Sequence, residues 1–359
     1  MRGIVQRRAV LSFPHMKTAR IHRHGDPSVL VCEDVPEPKA GPGQVLLRVR
    51  ACALNHLDLF VRAGIPGMTF RMPHVLGSDI AGEVVEVGEG CERVRTGWRV
   101  VLSPGLSCRQ CAPCLAGNDN LCRNYVVFGY GVDGGNAELL AAPEYSVIRI
   151  PDSLGFAEAA AAPLVFLTAW HMLMARANLQ PGEDVLVLAA SSGVGMAAIQ
   201  IARMFQARVI ATASGDAKLE RARALGAHYV IDHYRQDIAA EVKRITGKRG
   251  VDVVVEHVGH ATWQKSLASL APGGRLVTCG ATTGFDAAVD LRYLFSKQWS
   301  VLGSFMGTMG ELQRVLHFVF DGKLKPVVDR VFPLAEIRAA HERLERREQF
   351  GKVVVQPEV

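Results

Sequence analysis

Four cysteines of this chain lie within fifteen positions of one another: Cys108, Cys111, Cys114 and Cys122. Thiolates at the spacing C-x2-C-x2-C-x7-C can bind a single tetrahedral zinc ion, with glycine and proline turns between the ligands. Because all four ligands would come from the protein, no position is left for water or a substrate. The spacing therefore predicts one structural zinc ion per chain. An iron–sulfur cluster, or four reduced cysteines without metal, are the alternatives.

A second stretch that could bind a reactive group is Ala189 to Gly195, which follows an apolar strand and precedes a helix. Such a turn brings the backbone close to a pyrophosphate and presents the N-terminus of the helix to it. Ala190 and Ser192 replace the first two glycines of the usual G-x-G-x-x-G pattern, and only Gly195 is kept. The order of elements nevertheless predicts a dinucleotide site at Ala190, Ser192, Gly193, Val194 and Gly195. Close helix-to-strand packing for structural reasons alone is the alternative.

The end of the next strand, Arg208 to Ala213, bears on which dinucleotide binds. A site selective for NAD usually carries an acidic residue here, which accepts a hydrogen bond from the ribose 2′-hydroxyl. This chain instead has Ser214, which can donate to a 2′-phosphate, and Lys218, which can add a positive charge one helical turn later. We therefore expect NADP(H) to be preferred over NAD(H). The alternative is that Asp216 or Glu220 lies near the ribose.

The elements that must position these residues change in type near residue 150. From about Lys17 to Pro143, short β-rich segments alternate with Gly, Pro and Asp. An alanine-rich helical stretch follows, and then apolar strands alternate with amphipathic helices, as in a doubly wound parallel sheet. The predicted fold class is α/β. The predicted divisions are a flexible extension at 1–15, a mainly β catalytic domain at 16–145 with a zinc lobe at 105–123, a nucleotide-binding domain at 146–300, and a segment at 301–359 that returns to the first domain.

The composition of the 359 residues excludes several classes of protein. With 49% hydrophobic and 21% charged residues, the chain can bury a core and is not disordered. Its net charge of +6 is spread along the chain, which suits an anionic cofactor better than a nucleic acid. The longest apolar stretch, 159–175, is interrupted by Pro163 and indicates a buried helix and not a membrane span. We expect a cytoplasmic protein that binds neither nucleic acid nor membrane.

Taken together, these features resemble the medium-chain dehydrogenase/reductase superfamily. The resemblance extends from Lys17 to Gln356 and is carried by the stretches PHVLGSDIAGEVVEVGEG, GLSCRQCAPCLAGNDNLC, DGGNAELL and AASSGVG. It implies a GroES-like catalytic domain, a Rossmann domain that binds the dinucleotide, and catalysis in the cleft between them. It also implies a small-molecule carbonyl substrate and assembly as a homodimer or homotetramer.

The resemblance places Asn55, Ser78 and Leu164 at the three positions that hold the catalytic zinc in the alcohol dehydrogenases of this family. None of these residues is a good zinc ligand. Leu57 also replaces the hydroxyl residue that relays a proton from the alcohol. The pattern is therefore similar to the branch of quinone oxidoreductases and enone reductases, although that branch usually lacks the four-cysteine lobe.

An atypical metal site is the alternative at this position. It would use Asp79, which stands where the family often has Glu, together with His56 or His74. The other interpretation of these three residues is that they line the pocket or support its walls.

We expect hydride transfer from NADPH to a quinone or an α,β-unsaturated ketone or aldehyde, without a catalytic zinc. The resemblance implies that Asn55 can donate to the substrate oxygen, that Thr168 packs under the nicotinamide and that Asp58 hydrogen-bonds within the catalytic loop. The remaining cofactor contacts that it implies are His56 and Lys352 at the pyrophosphate, Cys279, Gly280 and Ala281 beside the nicotinamide ribose, and Ser304 and Phe305 near the carboxamide. An alcohol or aldehyde dehydrogenase with an atypical metal, and an NADP-binding redox sensor without turnover, are the alternative functions.

Overall fold

The computed structural model describes residues 14 to 357, and its first half is built mainly from antiparallel strands. The predicted extension at 1–15 therefore lies outside the described residues, apart from Pro14 and His15. The strands of this half are β1 (His15–Ile21), β2 (Leu30–Pro36), β3 (Gln44–Ala53), β4 (His74–Val75), β5 (Asp79–Val87), β6 (Arg99–Leu102), β7 (Gly105–Leu106), β8 (Val126–Val127), β9 (Leu139–Pro143) and β10 (Val147–Arg149). Two short helices lie among them, α1 (His56–Ala63) and α2 (Ala112–Leu115).

An alanine-rich helical segment connects the two halves. It consists of α3 (Phe156–Ala160), α4 (Pro163–Trp170) and a stretch of π-helix at His171–Arg176. Proline has no backbone N–H to donate and its φ angle suits the first helical turn, so Pro163 begins a new helix. The predicted helix at 159–175 is therefore buried, as expected, but it is broken at Pro163. None of the helices in residues 14–357 is long and apolar enough to cross a membrane.

The second half forms a six-stranded parallel sheet with helices between the strands. Its elements are β11 (Asp184–Val187), α5 (Gly193–Met204), β12 (Arg208–Ala213), α6 (Asp216–Ala224), β13 (Tyr229–Asp232), α7 (Ile238–Ile245), β14 (Val251–Glu256), α8 (His260–Ala268), β15 (Leu270–Thr278), α9 (Leu291–Ser296) and β16 (Ser300–Gly303). The strand order is β13-β12-β11-β14-β15-β16, so the direction of winding reverses between β11 and β14. In open parallel sheets, ligands bind at the carboxyl ends of the strands beside this reversal.

The chain then returns to the first half through α10 (Met309–Phe320), β17 (Val328–Pro333), α11 (Ile337–Glu345) and β18 (Lys352–Gln356). In β18, Val354 and Val355 pair antiparallel with Ala53 and Cys52 of β3. The main sheet of the first half accordingly has the order β10-β6-β5-β3-β18-β17, with β9 also paired to β3. Its last strands come from the end of the chain, and they place Lys352 beside the turn that follows β3.

The predicted α/β fold class is confirmed: a mainly β unit is joined to a doubly wound parallel sheet. One detail of the predicted divisions differs from the structure. The boundary at residue 300 falls on the first residue of β16, and the whole of this strand belongs to the parallel sheet.

Candidate functional site

A cavity of about 360 Å³ lies where the carboxyl ends of β11, β14 and β15 face α1 and the start of β18. Many residues predicted from the sequence line it: Asn55, His56, Thr168, Ser192, Gly193, Val194, Cys279, Gly280, Phe305 and Lys352. The other predicted residues lie outside its lining: Asp58, Ala190, Gly195, Ser214, Lys218, Ala281 and Ser304. The cavity therefore combines residues from both halves of the protein at the reversal point of the sheet.

The turn between β11 and α5 forms one wall of the cavity. The hydroxyl of Ser192 caps α5 by accepting the backbone N–H of Gly195 at 2.9 Å. A Cβ atom on Gly195 would lie 2.3 Å from the carbonyl oxygen of Ala189, so only glycine lets the helix approach the strand this closely. This geometry fits a dinucleotide, because Gly193 and Val194, the first two residues of α5, line the cavity and can turn their backbone N–H groups to a pyrophosphate.

His257, which the sequence analysis missed, stands opposite this turn. Its Nε2 lies 3.0 Å from the hydroxyl of Ser192, while its Nδ1 is buried without a hydrogen-bond partner. Burial lowers the pKa of His257 to about 4. Its position directly after β14, at a strand end beside the reversal point, is the signal that could have identified it.

Positive charge surrounds the same end of the cavity. Burial lowers the pKa of His56 to about 4, and repulsion from the nearby His257, Arg347 and Lys352 adds to this effect. Such a field favours an anionic ligand. Arg347 lines the cavity and was also missed in the sequence, where it is one of several arginines of a solvated helical segment.

The two residues predicted to select NADP lie just beyond the cavity, after β12. The amine of Lys218 donates to the carbonyl oxygen of Arg347 at 2.5 Å, and burial lowers its pKa. The backbone N–H of Gly215, the residue after Ser214, donates to the Asp232 carboxylate at 3.2 Å.

Asp216 and Glu220, the two acidic residues on which the alternative of NAD(H) binding depends, are each paired with an arginine. Asp216 accepts from Arg235, and Glu220 accepts from Arg223, each at 3.1 Å. Both are exposed surface pairs, so they leave open the alternative in which one of the two carboxylates lies near the ribose.

Two of the three positions of the lost metal ligands, Asn55 and Leu164, meet in a buried hydrogen-bond network around Asp79. The amide of Asn55 donates from Nδ2 to Oδ2 of Asp79 at 2.9 Å. The ammonium of Lys352 donates to Asn55 Oδ1 at 2.6 Å and to Asp79 Oδ2 at 2.8 Å. The other carboxylate oxygen, Asp79 Oδ1, accepts the backbone N–H of Leu164 at 2.8 Å.

A catalytic zinc does not fit this set of donors. An amide that is already bonded, a leucine and Ser78, whose buried hydroxyl has no partner, replace the usual ligands. His74 is directed away, because its Nε2 bonds to the carbonyl of Gly129 at 3.1 Å. Within residues 14–357, Asp79, His56 and His74 do not form a group that could hold a metal.

Asp58 holds the loop that carries Asn55. One of its carboxylate oxygens accepts the backbone N–H of Asn55 at 2.7 Å, and the other accepts that of Gly77 at 2.8 Å. Burial raises the pKa of Asp58 to about 6, although these two donors oppose the rise. Asp58 therefore orients the turn between β3 and α1, and its side chain lies outside the lining of the cavity.

The four predicted zinc ligands come together between β7 and β8. The sulfur atoms of Cys108, Cys111, Cys114 and Cys122 all lie within 4.8 Å of one another. Backbone N–H groups of Cys108 and Asn124 donate to the Cys122 sulfur at 3.5 and 3.4 Å. Four converging thiolates, supported by backbone donors, fit a structural zinc ion.

This lobe also contacts the wall of the cavity. Asp119 accepts the N–H of Met309 at the start of α10 at 3.0 Å, and the side-chain amide of Asn120 donates to the carbonyl of Phe305 at 3.2 Å. The ring of Tyr125 packs edge-on against Phe305, with 5.9 Å between the ring centres. The lobe is therefore positioned to hold the segment around Phe305 in place.

Two family models match the chain: the alcohol dehydrogenase GroES-like domain over residues 41–152 and the zinc-binding dehydrogenase over residues 193–321. An NAD-dependent alcohol dehydrogenase of Sulfolobus acidocaldarius is 33% identical over 350 residues, which cover 95% of this chain and 99% of that protein. The chain belongs to the medium-chain dehydrogenase/reductase superfamily. The resemblance stated from the sequence is thereby confirmed.

Other members of the superfamily that match carry different activities in their names. The quinone oxidoreductase of Homo sapiens is 29% identical over 336 residues, covering 92% of this chain and 94% of that protein. A 2-haloacrylate reductase of a Burkholderia species is 32% identical over 354 residues, covering 95% and 98%. A crystal structure described as an NAD-dependent alcohol dehydrogenase superposes with a TM-score of 0.92 at 46% identity, covering 95% and 99%.

These relatives show that the chain is an oxidoreductase. Since they include both alcohol dehydrogenases and enzymes named for reducing quinones or acrylates, the choice among substrates for this superfamily member depends on the residues of its own cavity.

The close approach at Gly195 can be tested by substitution. In Gly195→Ala, the new methyl group would force the start of α5 away from the Ala189 carbonyl. We expect the free energy of unfolding to fall by about 1–3 kcal/mol and the dissociation constant for NADPH to rise by about tenfold or more. Chemical denaturation and nicotinamide fluorescence measure the two effects.

The matched control is Gly310→Ala in α10, where only the Thr308 hydroxyl lies within 4 Å of the added methyl, at 3.9 Å. This control should bind NADPH as the original protein does and should be at least as stable, because alanine favours a helix. Unchanged binding and stability in Gly195→Ala would contradict this account of the turn.

The cysteine lobe leads to a prediction about metal content. Elemental analysis of the purified protein should find about one zinc per chain, and Cys114→Ser should lose most of it and unfold at a lower temperature. Cys32→Ser, which changes an exposed cysteine outside the lobe, should keep the zinc. About two zinc ions per chain would show a second metal site and would overturn our account of Asn55, Ser78 and Leu164.

Proposed function

We propose that this superfamily member transfers a hydride from NADPH to a conjugated carbonyl, namely a quinone or an α,β-unsaturated ketone or aldehyde, without a catalytic zinc. One observation carries this proposal. The place of the catalytic metal is taken by an amide, an unpartnered hydroxyl and a leucine, and the ammonium of Lys352 bonds to Asn55 and Asp79 there. A catalytic metal would polarise a simple ketone as a Lewis acid, and these residues do not supply ligands for one.

Conjugated carbonyls suit such a cavity because they spread the developing negative charge over several atoms. Precise positioning and a few hydrogen bonds can then replace a metal ion. When bound, NADPH would supply the hydride. The apolar residues Leu57, Phe60 and Leu164 line the cavity and could receive a ring or an alkyl chain. Thr168, buried in α4 one helical turn after Leu164, would pack against the nicotinamide.

The preference for NADPH over NADH is supported by the charges beyond β12. The hydrogen bond from Lys218 to the Arg347 carbonyl brings these two basic residues together. Burial lowers the pKa of the nearby His233, and repulsion from Lys265, Lys218 and Arg347 adds to this effect. Ser214 adds a hydroxyl donor at the end of the strand. A 2′-phosphate would neutralise this concentration of positive charge, whereas a 2′-hydroxyl would not.

We also propose that the protein assembles as a homodimer or homotetramer. β16 is the last strand in the order of the parallel sheet, and an edge strand can pair with another chain. Several large apolar side chains near this edge are exposed: Leu291, Tyr293, Phe295 and Val301. Their burial against a second copy would remove apolar surface from water.

The proposed reaction is tested by following the oxidation of NADPH and of NADH at 340 nm. With NADPH, we expect a quinone and an enone to be reduced with a kcat/KM at least about tenfold above that of a simple aldehyde, which corresponds to ~1.4 kcal/mol of transition-state stabilisation. NADPH should also be the better cofactor. Turnover of alcohols or aldehydes alone would favour the alcohol dehydrogenase alternative, and binding of NADPH without turnover would favour a redox sensor.

Cofactor preference is tested separately with Lys218→Met and Arg347→Met. Each change should raise the KM for NADPH by about tenfold and the KM for NADH by less than about twofold, because only NADPH carries the 2′-phosphate. Arg223→Met is the control, since it removes an exposed arginine of α6 that pairs with Glu220. An equal rise for both cofactors would show that Lys218 and Arg347 do not read the 2′-phosphate.

A further inference from the structure

Lys352 is the only buried lysine among residues 14–357, with 3% of its surface exposed. A buried ammonium is costly unless its charge is balanced and its N–H groups are bonded. The balancing charge comes from Asp79, whose side chain is fully buried. The pair lies at the wall of the cavity, among the residues at the positions where the resemblance places a catalytic metal in the alcohol dehydrogenases of the family.

One of the three N–H groups of the Lys352 ammonium makes no hydrogen bond to a described residue. A lysine has three N–H groups, and the structure uses two of them, toward Asn55 Oδ1 and Asp79 Oδ2. Lys352 lines the same cavity as Thr168 and Leu164, where the third N–H can meet a bound molecule. A carbonyl oxygen of a substrate is an acceptor of the right kind.

The neighbours of Lys352 hold the ammonium in one place. Asp79 is fixed by the backbone N–H of Leu164, and Asn55 bridges Asp79 and Lys352 with its two amide ends. The amide of Asn55 is thus already engaged, because its nitrogen also lies 3.4 Å from the Ala53 carbonyl. In this arrangement Asn55 is better suited to orient Lys352 than to donate to the substrate itself.

The stem of Lys352 passes the start of α5 before its ammonium reaches this network. A Cβ atom on Gly193 would lie 3.0 Å from Lys352 Cδ. The methylene groups are therefore beside the site expected for the pyrophosphate, while the charged end lies further on, between Asn55 and Asp79. The ammonium of Lys352 is thus placed to contact the substrate, whereas the family resemblance implies that it contacts the pyrophosphate.

We propose that Lys352 is a catalytic residue of the proposed reaction, on which this inference rests. Its third N–H donates a hydrogen bond to the carbonyl oxygen of the substrate and stabilises the negative charge that hydride transfer creates there. Asn55 and Asp79 are positioning residues. An organic cation thereby takes the electrostatic part that a metal plays in zinc alcohol dehydrogenases.

The step balances without any further reactant. The substrate gains a hydride at its β-carbon, NADPH is oxidised to NADP⁺, and the enone becomes an enolate whose oxygen accepts the hydrogen bond from Lys352. Water then supplies a proton to the α-carbon, and a quinone takes its proton on oxygen instead. Lys352 keeps its own proton throughout, so it stabilises charge and needs no recharging between turnovers.

The test compares Lys352→Met with the double variant Lys352→Met/Asp79→Asn. The single change leaves a buried carboxylate without its partner and strongly destabilises the fold, whereas the double change removes both charges together. In the double variant, kcat with an enone at saturating NADPH should fall by about 100-fold or more, the loss typical of removing one donor to a developing oxyanion. The dissociation constant for NADPH, measured by fluorescence without substrate, should change by less than about threefold.

A series of aryl enones with different ring substituents provides a second measurement. Without the donor, the substrate must carry more of the negative charge itself, so the rate should depend more steeply on electron withdrawal in the double variant. Lys323→Met is the control, since it removes an exposed lysine that pairs with Asp321 outside the cavity lining, and it should leave kcat, NADPH binding and this dependence unchanged.

Two results would overturn the catalytic role of Lys352 and leave the proposed function standing. In the first, the double variant binds NADPH more weakly and keeps its kcat, which would assign Lys352 to the pyrophosphate. In the second, kcat falls but its dependence on the substituents stays the same, as for a purely structural role. If the original protein reduces no conjugated carbonyl with NADPH, the proposed function fails and the role of Lys352 fails with it.

Discussion

The return of β18 to the first half of the protein is the constraint on which the cleft depends. Three consecutive residues of this segment bond to three different parts of the molecule: Gly351 N–H to Ser191 in the dinucleotide turn, Lys352 N–H to Val327, and Val353 through its carbonyl to Leu54 N–H. Gly351 has a φ of +96°, and a Cβ there would lie 2.3 Å from the Val327 carbonyl, so the crossing requires glycine. One short strand thereby fixes the distance between the two walls of the cavity.

The same strand decides the electrostatics of the cleft. It brings the ammonium of Lys352 to Asp79, a carboxylate that is buried with no exposed surface. Once the metal ligands are replaced, an isolated carboxylate at this depth would be strongly destabilising, and the lysine removes that cost. The network thus balances the buried charge of Asp79 and keeps one positive group beside the cavity.

The cysteine lobe solves a different problem, because it has little apolar surface to bury. Leu115 and Leu121 within it are 76% and 67% exposed, so packing contributes little to holding this loop together. Metal binding can supply the missing stabilisation. Hydrogen bonds join Asp119 to Met309 at the start of α10 and Asn120 to the carbonyl of Phe305. An ordered lobe therefore holds Phe305 in place in the cavity wall. A metal ion bound by the four cysteines would thus order the cavity wall as well as the lobe itself.

The sequence alone determined those features of the protein that depend only on residues a few positions apart. The spacing of four cysteines, the strand–turn–helix order around Gly195 and the apolar strands of the second half are all of this kind, and the structure places them as predicted. The tertiary structure alone decided which distant residues meet. Arg347 has no local signature, and the position of His257 after β14 becomes a signal only when the order of the strands is known. Lys352 stands 297 positions from Asn55 yet shares a hydrogen bond with it. Such contacts follow from strand pairing and burial across the whole fold, which no stretch of sequence contains by itself.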